Sequence, residues 1–122
     1  MLEKLPESTG NVLGYLARAK ITDEELTAFA REFEAAIERH GKTRLLVYMP
    51  KMPTLTPGAL WDDLKLFRYR NNIERYAVVS DSPVFGWTSK VADALSSGEV
   101  RQFDTRQYEE AWRWLEQPVE GS

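Results

Sequence analysis

The sequence predicts an α/β fold: a two-layer sandwich in which four main helices cover a five-stranded, mixed and mostly parallel sheet, in the order ββαβαβαβα. Two observations carry this prediction. Residues 45–49 form an uninterrupted apolar run with a glycine before it and prolines after it, and residues 76–79 form a second such run. Runs of this length are typical of strands buried on both faces. A helical pattern separates them, which favours parallel strands with ligand sites beyond their carboxyl ends.

The remaining strands are predicted at residues 1–5, 11–21 and 100–103. The turn-forming residues 8–11 (Ser-Thr-Gly-Asn) separate the first two, so we expect these to form an antiparallel hairpin. The whole chain, residues 1–122, has the length of one domain and is large enough to bury a single core.

Capping signals mark the first and last helices. Thr22 and Glu25 form a capping box at the start of the first helix, and Gly41 ends it. Asp104 and Gln107 repeat the capping-box pattern before the last helix. Apolar residues at helical spacing predict the faces that contact the sheet. These are Leu26, Phe29, Ala30, Phe33, Ala36 and Ile37 in the first helix, and Tyr108, Ala111, Trp112 and Leu115 in the last.

Prolines mark the starts of the two middle helices. The second helix follows a loop with three prolines at residues 50–58 and begins with Thr56 as N-cap and Pro57 in the first turn. Ser82 and Pro83 have the same arrangement before the third helix.

Composition excludes several classes of function. The chain has no cysteine, which removes thiolate metal sites and cysteine nucleophiles. Its net charge of -3 argues against nucleic acid as a partner, because such binding depends on Lys and Arg neutralising phosphates. The N-terminus lacks the pattern of a secretion signal and no apolar run is long enough to span a membrane, so we expect a cytoplasmic protein.

Few residues point to catalysis. The common nucleotide-binding and hydrolase motifs do not occur in the sequence, and His40 is the only histidine, so we expect no metal site and no cofactor. Asp81 and Ser82 follow a predicted strand, where a parallel sheet presents catalytic groups, yet helix capping explains both residues better. Asp62 and Asp63 are predicted in the first turn of the second helix. An interaction with the helix dipole explains them better than a role as an acid/base pair.

A ridge on the second helix is the least ordinary feature. Trp61, Lys65 and Tyr69 recur every four residues, and Arg68 lies beside them. Aromatic rings next to cations suit a membrane surface or a protein interface, and residues 42–75 carry a local excess of basic residues. The alternative is that these rings only cover the edge of the core.

Several segments together resemble the bacterial SpoIIAA-like family. They are residues 21–26 (Ile-Thr-Asp-Glu-Glu-Leu), 44–48 (Arg-Leu-Leu-Val-Tyr), 74–81 (Glu-Arg-Tyr-Ala-Val-Val-Ser-Asp) and 104–115 (Asp-Thr-Arg-Gln-Tyr-Glu-Glu-Ala-Trp-Arg-Trp-Leu). The resemblance implies the STAS-type fold of the anti-sigma-factor antagonists, which is similar to the lipid-carrying CRAL-TRIO domain. It further implies a non-enzymatic module that binds apolar molecules and associates with membranes.

One departure from the antagonists concerns phosphorylation. In them a phosphorylated serine follows an aspartate in the loop after the strand that matches residues 44–48. That loop contains no Asp-Ser pair here, and the pair occurs one strand and helix later, at Asp81 and Ser82. The candidate phosphorylation sites are therefore Thr54, Thr56 and Ser82.

These inferences rank three functions. The first is a module for a small, lipid-like ligand held by Met49, Met52, Leu55 and Phe85, with peripheral membrane contact through the ridge. The second is a regulatory module of the anti-sigma-factor-antagonist type that binds a protein partner. Association into a homodimer is a separate expectation. The third is an enzyme with convergent polar groups around Asp81.

Overall fold

The computed structural model describes residues 1–50, 71–81 and 98–117. Its sheet has five strands in the spatial order β1-β2-β3-β4-β5. β1 and β2 are antiparallel, and every other neighbouring pair is parallel. The five-stranded, mixed and mostly parallel sheet predicted from the sequence is therefore confirmed. The strands are β1 (Leu2–Lys4), β2 (Val12–Ala17), β3 (Thr43–Tyr48), β4 (Ile73–Val79) and β5 (Glu99–Phe103).

Two α-helices lie within the described residues, α1 (Asp23–His40) and α2 (Tyr108–Glu116). A short 3-10 turn, Thr105–Gln107, leads into α2. The second and third predicted helices begin in residues 51–70 and 82–97, which lie outside the described part of the chain.

The predicted start and end of α1 are both confirmed. The Glu25 N–H donates to Thr22 Oγ1 at 3.2 Å, and the Thr22 N–H donates to Glu25 Oε1 at 3.0 Å, which completes the capping box. Gly41 has a φ of 80°, a conformation that glycine adopts without steric cost. The Glu25 carboxylate also accepts a hydrogen bond from the Leu2 N–H at 2.7 Å. The helix start is thereby joined to the edge strand β1.

The predicted arrangement in two layers is corrected, because α1 and α2 lie on opposite faces of the sheet. On β3, Leu45 and Val47 join the core cluster that contains the Phe33 ring of α1, whereas Leu46 joins the cluster that contains the buried residues of α2. Leu45 and Leu46 are both fully buried. A parallel strand that is apolar on both faces must be covered on both faces. The structure therefore has three layers, with the sheet between α1 and α2.

Gly14 sets the distance between α2 and the sheet. A methyl group at this position of β2 would overlap the Trp112 ring of α2. The missing side chain lets the indole lie directly on the strand. The N–H and carbonyl of Gly14 are held by the Ser8 hydroxyl, at 2.9 and 3.2 Å, so the β1–β2 turn packs beside the same ring.

Candidate functional site

The carboxyl ends of β3, β4 and β5 meet at one edge of the sheet, as expected for parallel strands. The Met49 N–H donates to the Val79 carbonyl at 2.8 Å, and the Ser80 N–H donates to the Phe103 carbonyl at 2.9 Å. These bonds continue the ladders one residue past the strands. They hold the edge on which the sequence placed a ligand site.

Asp81, a carboxylate at this edge, has a structural role. Its two oxygens accept hydrogen bonds from the Thr105 N–H at 2.9 Å and from Thr105 Oγ1 at 2.7 Å. The backbone bond, followed by the hydroxyl bond, lowers the pKa of Asp81 below its usual value. Asp81 is therefore a deprotonated acceptor that ties the end of β4 to the turn before α2.

The capping box predicted at Asp104 is confirmed. The Asp104 N–H donates to Gln107 Oε1 at 3.0 Å, and the Asp104 carboxylate accepts from the Arg106 N–H at 3.0 Å. The one difference from the prediction is the 3-10 geometry of this first turn. The cap fixes the direction in which α2 leaves the carboxyl edge of the sheet.

Two arginines from neighbouring strands bind the other end of α2. Arg44 Nη1 donates to the Leu115 carbonyl at 2.7 Å, and its Nε donates to Glu74 Oε2 at 2.9 Å. Arg75, which is 6% exposed, donates through Nη1 to the Trp114 carbonyl and, at 3.2 Å, to the Gln117 carbonyl. Cations at a helix C-terminus satisfy its free carbonyls and favour its dipole. α2 is thus anchored at both ends.

A groove of about 580 Å³ lies between β5 and α2. Aromatic and polar side chains from both elements line it. We call it the α2–β5 groove, and its residues are Arg101, Gln102, Phe103, Gln107, Glu110, Arg113, Trp114 and Gln117. The Phe103 and Trp114 rings have centroids 5.9 Å apart, and the Arg101 guanidinium lies 5.2 Å from the Trp114 ring centroid.

A second depression continues the groove along the surface of α2. It has a volume of about 550 Å³ and shares Gln107, Glu110 and Arg113 with the α2–β5 groove. Arg106 lies at its far end, paired with Asp104 at 3.3 Å. The two depressions together form one surface that follows the helix.

Two tyrosines have raised pKa values, Tyr108 at the start of α2 and Tyr15 on β2. Tyr108 is half-buried and donates to Glu7 Oε2 at 2.7 Å. Burial, followed by this bond, raises the pKa of Tyr108 to about 12. Burial, followed by a hydrogen bond to Glu32, also raises the pKa of Tyr15. Both phenols remain neutral and act as hydrogen-bond donors.

No group of three or more metal-ligating side chains occurs in residues 1–50, 71–81 and 98–117. His40, the last residue of α1, is exposed. Its position in the last helical turn suits the structural role expected from the sequence.

Of the predicted ligand-lining residues only Met49 lies in the described part of the chain. Met49 is 1% exposed and belongs to the core cluster on the α1 side of the sheet. The other predicted site residues lie outside the described residues. They are Met52, Leu55 and Phe85 for the ligand, Trp61, Lys65, Arg68 and Tyr69 for the membrane or partner, and Thr54, Thr56 and Ser82 for phosphorylation.

Sequence reasoning missed the α2–β5 groove. One signal was present in the chain: Trp114 lies about a third of a turn from the apolar stripe of its helix. A second signal was the alternation in β5, which puts Arg101 on the same face as the buried Phe103. Combining the two requires knowing which face of β5 meets α2, and that depends on the tertiary fold.

Fold and site together define a class of protein, an α/β domain of the STAS type whose mixed sheet carries helices on both faces. Comparison with known families gives the narrower assignment. The SpoIIAA-like family model matches residues 12–116, and the chain belongs to this family.

The fold also occurs in a solved structure. The crystal structure of an uncharacterized protein from Shewanella loihica PV-4, described as having a SpoIIAA-like fold, is similar with a TM-score of 0.62 and 24% sequence identity. The similarity covers 94% of this chain and 90% of that one. No curated protein matches this chain. In the described segments, no helix is both long and apolar enough to cross a membrane.

Proposed function

We propose that this protein is a non-enzymatic module that binds a protein partner. The observation that carries the proposal is the role of Asp81, a carboxylate among the described residues at the edge where a parallel sheet usually binds ligands. Each of its oxygens accepts a hydrogen bond from Thr105, so Asp81 joins two parts of the fold and is not directed toward a substrate. Membership of the SpoIIAA-like family supports a non-enzymatic module and the protein-binding alternative of the anti-sigma-factor-antagonist type, which the sequence ranked second.

The enzyme alternative receives little support from the described titratable groups. A general acid or base works best with a pKa near the operating pH. Hydrogen bonds lower the pKa of Asp81 and Glu25, whereas burial raises the pKa of Tyr15 and Tyr108. All four shifts lead away from neutrality, so these groups hold the fold together and are not prepared for proton transfer.

Binding of a small, lipid-like ligand remains a prediction. Its expected pocket depends on residues outside the described part of the chain, and Met49 lies in the core. The two depressions beside α2 are lined mostly by charged and amide side chains, which suit a polar partner better than a lipid. Membrane contact through Trp61 and Lys65, and phosphorylation of Thr54, Thr56 or Ser82, are likewise predictions.

Native mass spectrometry of the protein purified gently from its own host tests the proposal. We expect a complex whose mass exceeds that of the chain by that of a second polypeptide, either a different protein or another copy. A mass increment of a few hundred daltons that organic solvent removes would instead support the apolar-ligand function. A bare monomer in every preparation would contradict both.

A further inference from the structure

We propose that the α2–β5 groove is the docking surface for an acidic peptide segment of the protein partner. This inference rests on the proposed function and adds to it a location and a partner chemistry. The family assignment does not point to this surface. The charges, the rings and the length of the groove support it as a docking surface.

Two guanidinium groups in the groove lack a carboxylate partner in the described part of the chain. Arg44 and Arg106 pair with Glu74 and Asp104, at 2.9 and 3.3 Å. No described carboxylate lies within ion-pairing distance of Arg101 or Arg113, and both side chains are exposed. Each can therefore form a bidentate pair with an incoming carboxylate.

Among its lining residues the groove has one carboxylate, Glu110, which forms no ion pair with Arg101 or Arg113. Glu110 accepts a hydrogen bond from Gln107 Nε2 at 2.7 Å, one turn back along the helix. Two arginines against one carboxylate give the groove a small local excess of positive charge on a chain with a net charge of -3. Complementary charge of this kind steers a partner and fixes its orientation.

The rings of the groove suit a protein partner. Trp114 is 7% exposed and Phe103 is 5% exposed, so the rings form a rigid floor beside the two cations. Arginine and tryptophan are over-represented among the residues that dominate binding energy at protein interfaces. Arg101 already lies over the Trp114 ring, which restricts its motion before a partner arrives.

The length of the surface favours a peptide over a small anion. From Gln107 to Gln117 the groove follows the helix for roughly 15 Å, which an extended segment of about five residues would cover. Glu109, which lines the second depression, and Glu116 repel any anion, so the carboxylates of the segment contact the groove at Arg101 and Arg113 and do not extend along the second depression. Polynucleotides are disfavoured by the net charge of -3, because their binding depends on an excess of Lys and Arg.

A designed peptide tests the proposal directly. The probe is a fluorescein-labelled decapeptide with glutamate at every second position and serine or leucine between, and its counterpart has lysine in place of glutamate. We expect the glutamate peptide to give saturable fluorescence anisotropy that weakens as salt is added. The lysine peptide should not bind. Absence of binding by the glutamate peptide would overturn the proposal.

A matched pair of variants locates the binding. Arg101→Glu with Arg113→Glu should weaken binding of the glutamate peptide by about tenfold or more. Arg18→Glu with Arg31→Glu changes the net charge equally, at exposed positions away from the groove, and should stay within about twofold of wild type. Arg101 contacts the Trp114 ring, so its replacement also disturbs that contact. The single variant Arg113→Glu repeats the test while leaving the contact between Arg101 and Trp114 intact. Equal losses in both pairs would overturn the assignment to the groove.

Two further outcomes separate this inference from the proposed function. If the native complex from the host persists in Arg101→Glu with Arg113→Glu, partner binding stands and the groove is the wrong surface. If wild type has no partner at all, the proposed function itself fails. Binding of anionic vesicles that depends on Arg101 and Arg113 more strongly than peptide binding does would show a membrane surface and overturn the peptide proposal.

Discussion

Gly14 illustrates how much of the packing depends on a single absent side chain. Because a methyl group there would meet the Trp112 ring, we expect Gly14→Ala to destabilise the protein. Overpacking a well-filled core typically costs about 1–3 kcal/mol. Urea unfolding measures the loss. In Gly14→Ala with Trp112→Phe the smaller ring should relieve part of it, so the two changes should cost less together than the sum of each alone. Simple additivity would show that the ring does not press on this position.

Asp81 makes stability depend on pH in a defined direction. Hydrogen bonds from Thr105 lower its pKa in the folded state below the usual value for aspartate. The stabilisation is therefore fully present above about pH 4 to 5 and is lost as the pH falls through the lowered folded pKa. We expect wild type to have a higher Tm than Asp81→Asn near neutral pH, and the difference to shrink below pH 4.

Melting curves of both proteins between about pH 2 and pH 7 check this expectation. Glu25, whose pKa is also lowered, is present in both proteins and cancels in the comparison. A difference in Tm that stays constant across this range would mean that the carboxylate of Asp81 contributes nothing as a charge.

Among the elements, α2 depends most on contacts from distant parts of the chain. Arg75→Met removes the buried guanidinium that binds the carbonyls of Trp114 and Gln117. Leaving buried acceptors unsatisfied costs about 1–3 kcal/mol. We therefore expect lower stability in guanidinium chloride and faster hydrogen exchange throughout residues 108–116.

Arg39→Met is the matched control, because Arg39 also lies in the last turn of a helix but is exposed. It should change stability by less than about 0.5 kcal/mol. Equal effects of the two variants would show that the anchoring by Arg75 is no stronger than an ordinary interaction with the helix dipole.

The two described helices differ in how well the sequence predicted them. The caps of α1 at Thr22 and Gly41 were correct because they depend on residues a few positions apart. The 3-10 turn before α2 and the burial of Trp114 were not predicted. The burial of Trp114 follows from its contacts with Phe103 of β5 and Arg75 of β4. Local sequence patterns do not show which strands a helix contacts.

At the scale of the whole molecule, the apolar runs at residues 45–49 and 76–79 correctly predicted the central strands. The same runs already indicate three layers and not the predicted two, because strands that are apolar on both faces need helices on both faces.

The α2–β5 groove could not be predicted in this way. It forms only where Arg101 of one element meets Arg113 and Trp114 of another, and this juxtaposition follows from the topology of the sheet.

Photo-crosslinking in extracts of the host tests most directly whether the protein binds a partner through this groove. The crosslinker p-benzoylphenylalanine replaces Gln117, an exposed residue of the groove, in one variant and Arg31, on the other side of the sheet, in a second. We expect a crosslinked polypeptide from position 117 only, and its yield should fall when the glutamate decapeptide is added to the extract before irradiation. Equal crosslinking from both positions, or a yield at position 117 that the peptide does not reduce, would contradict the account.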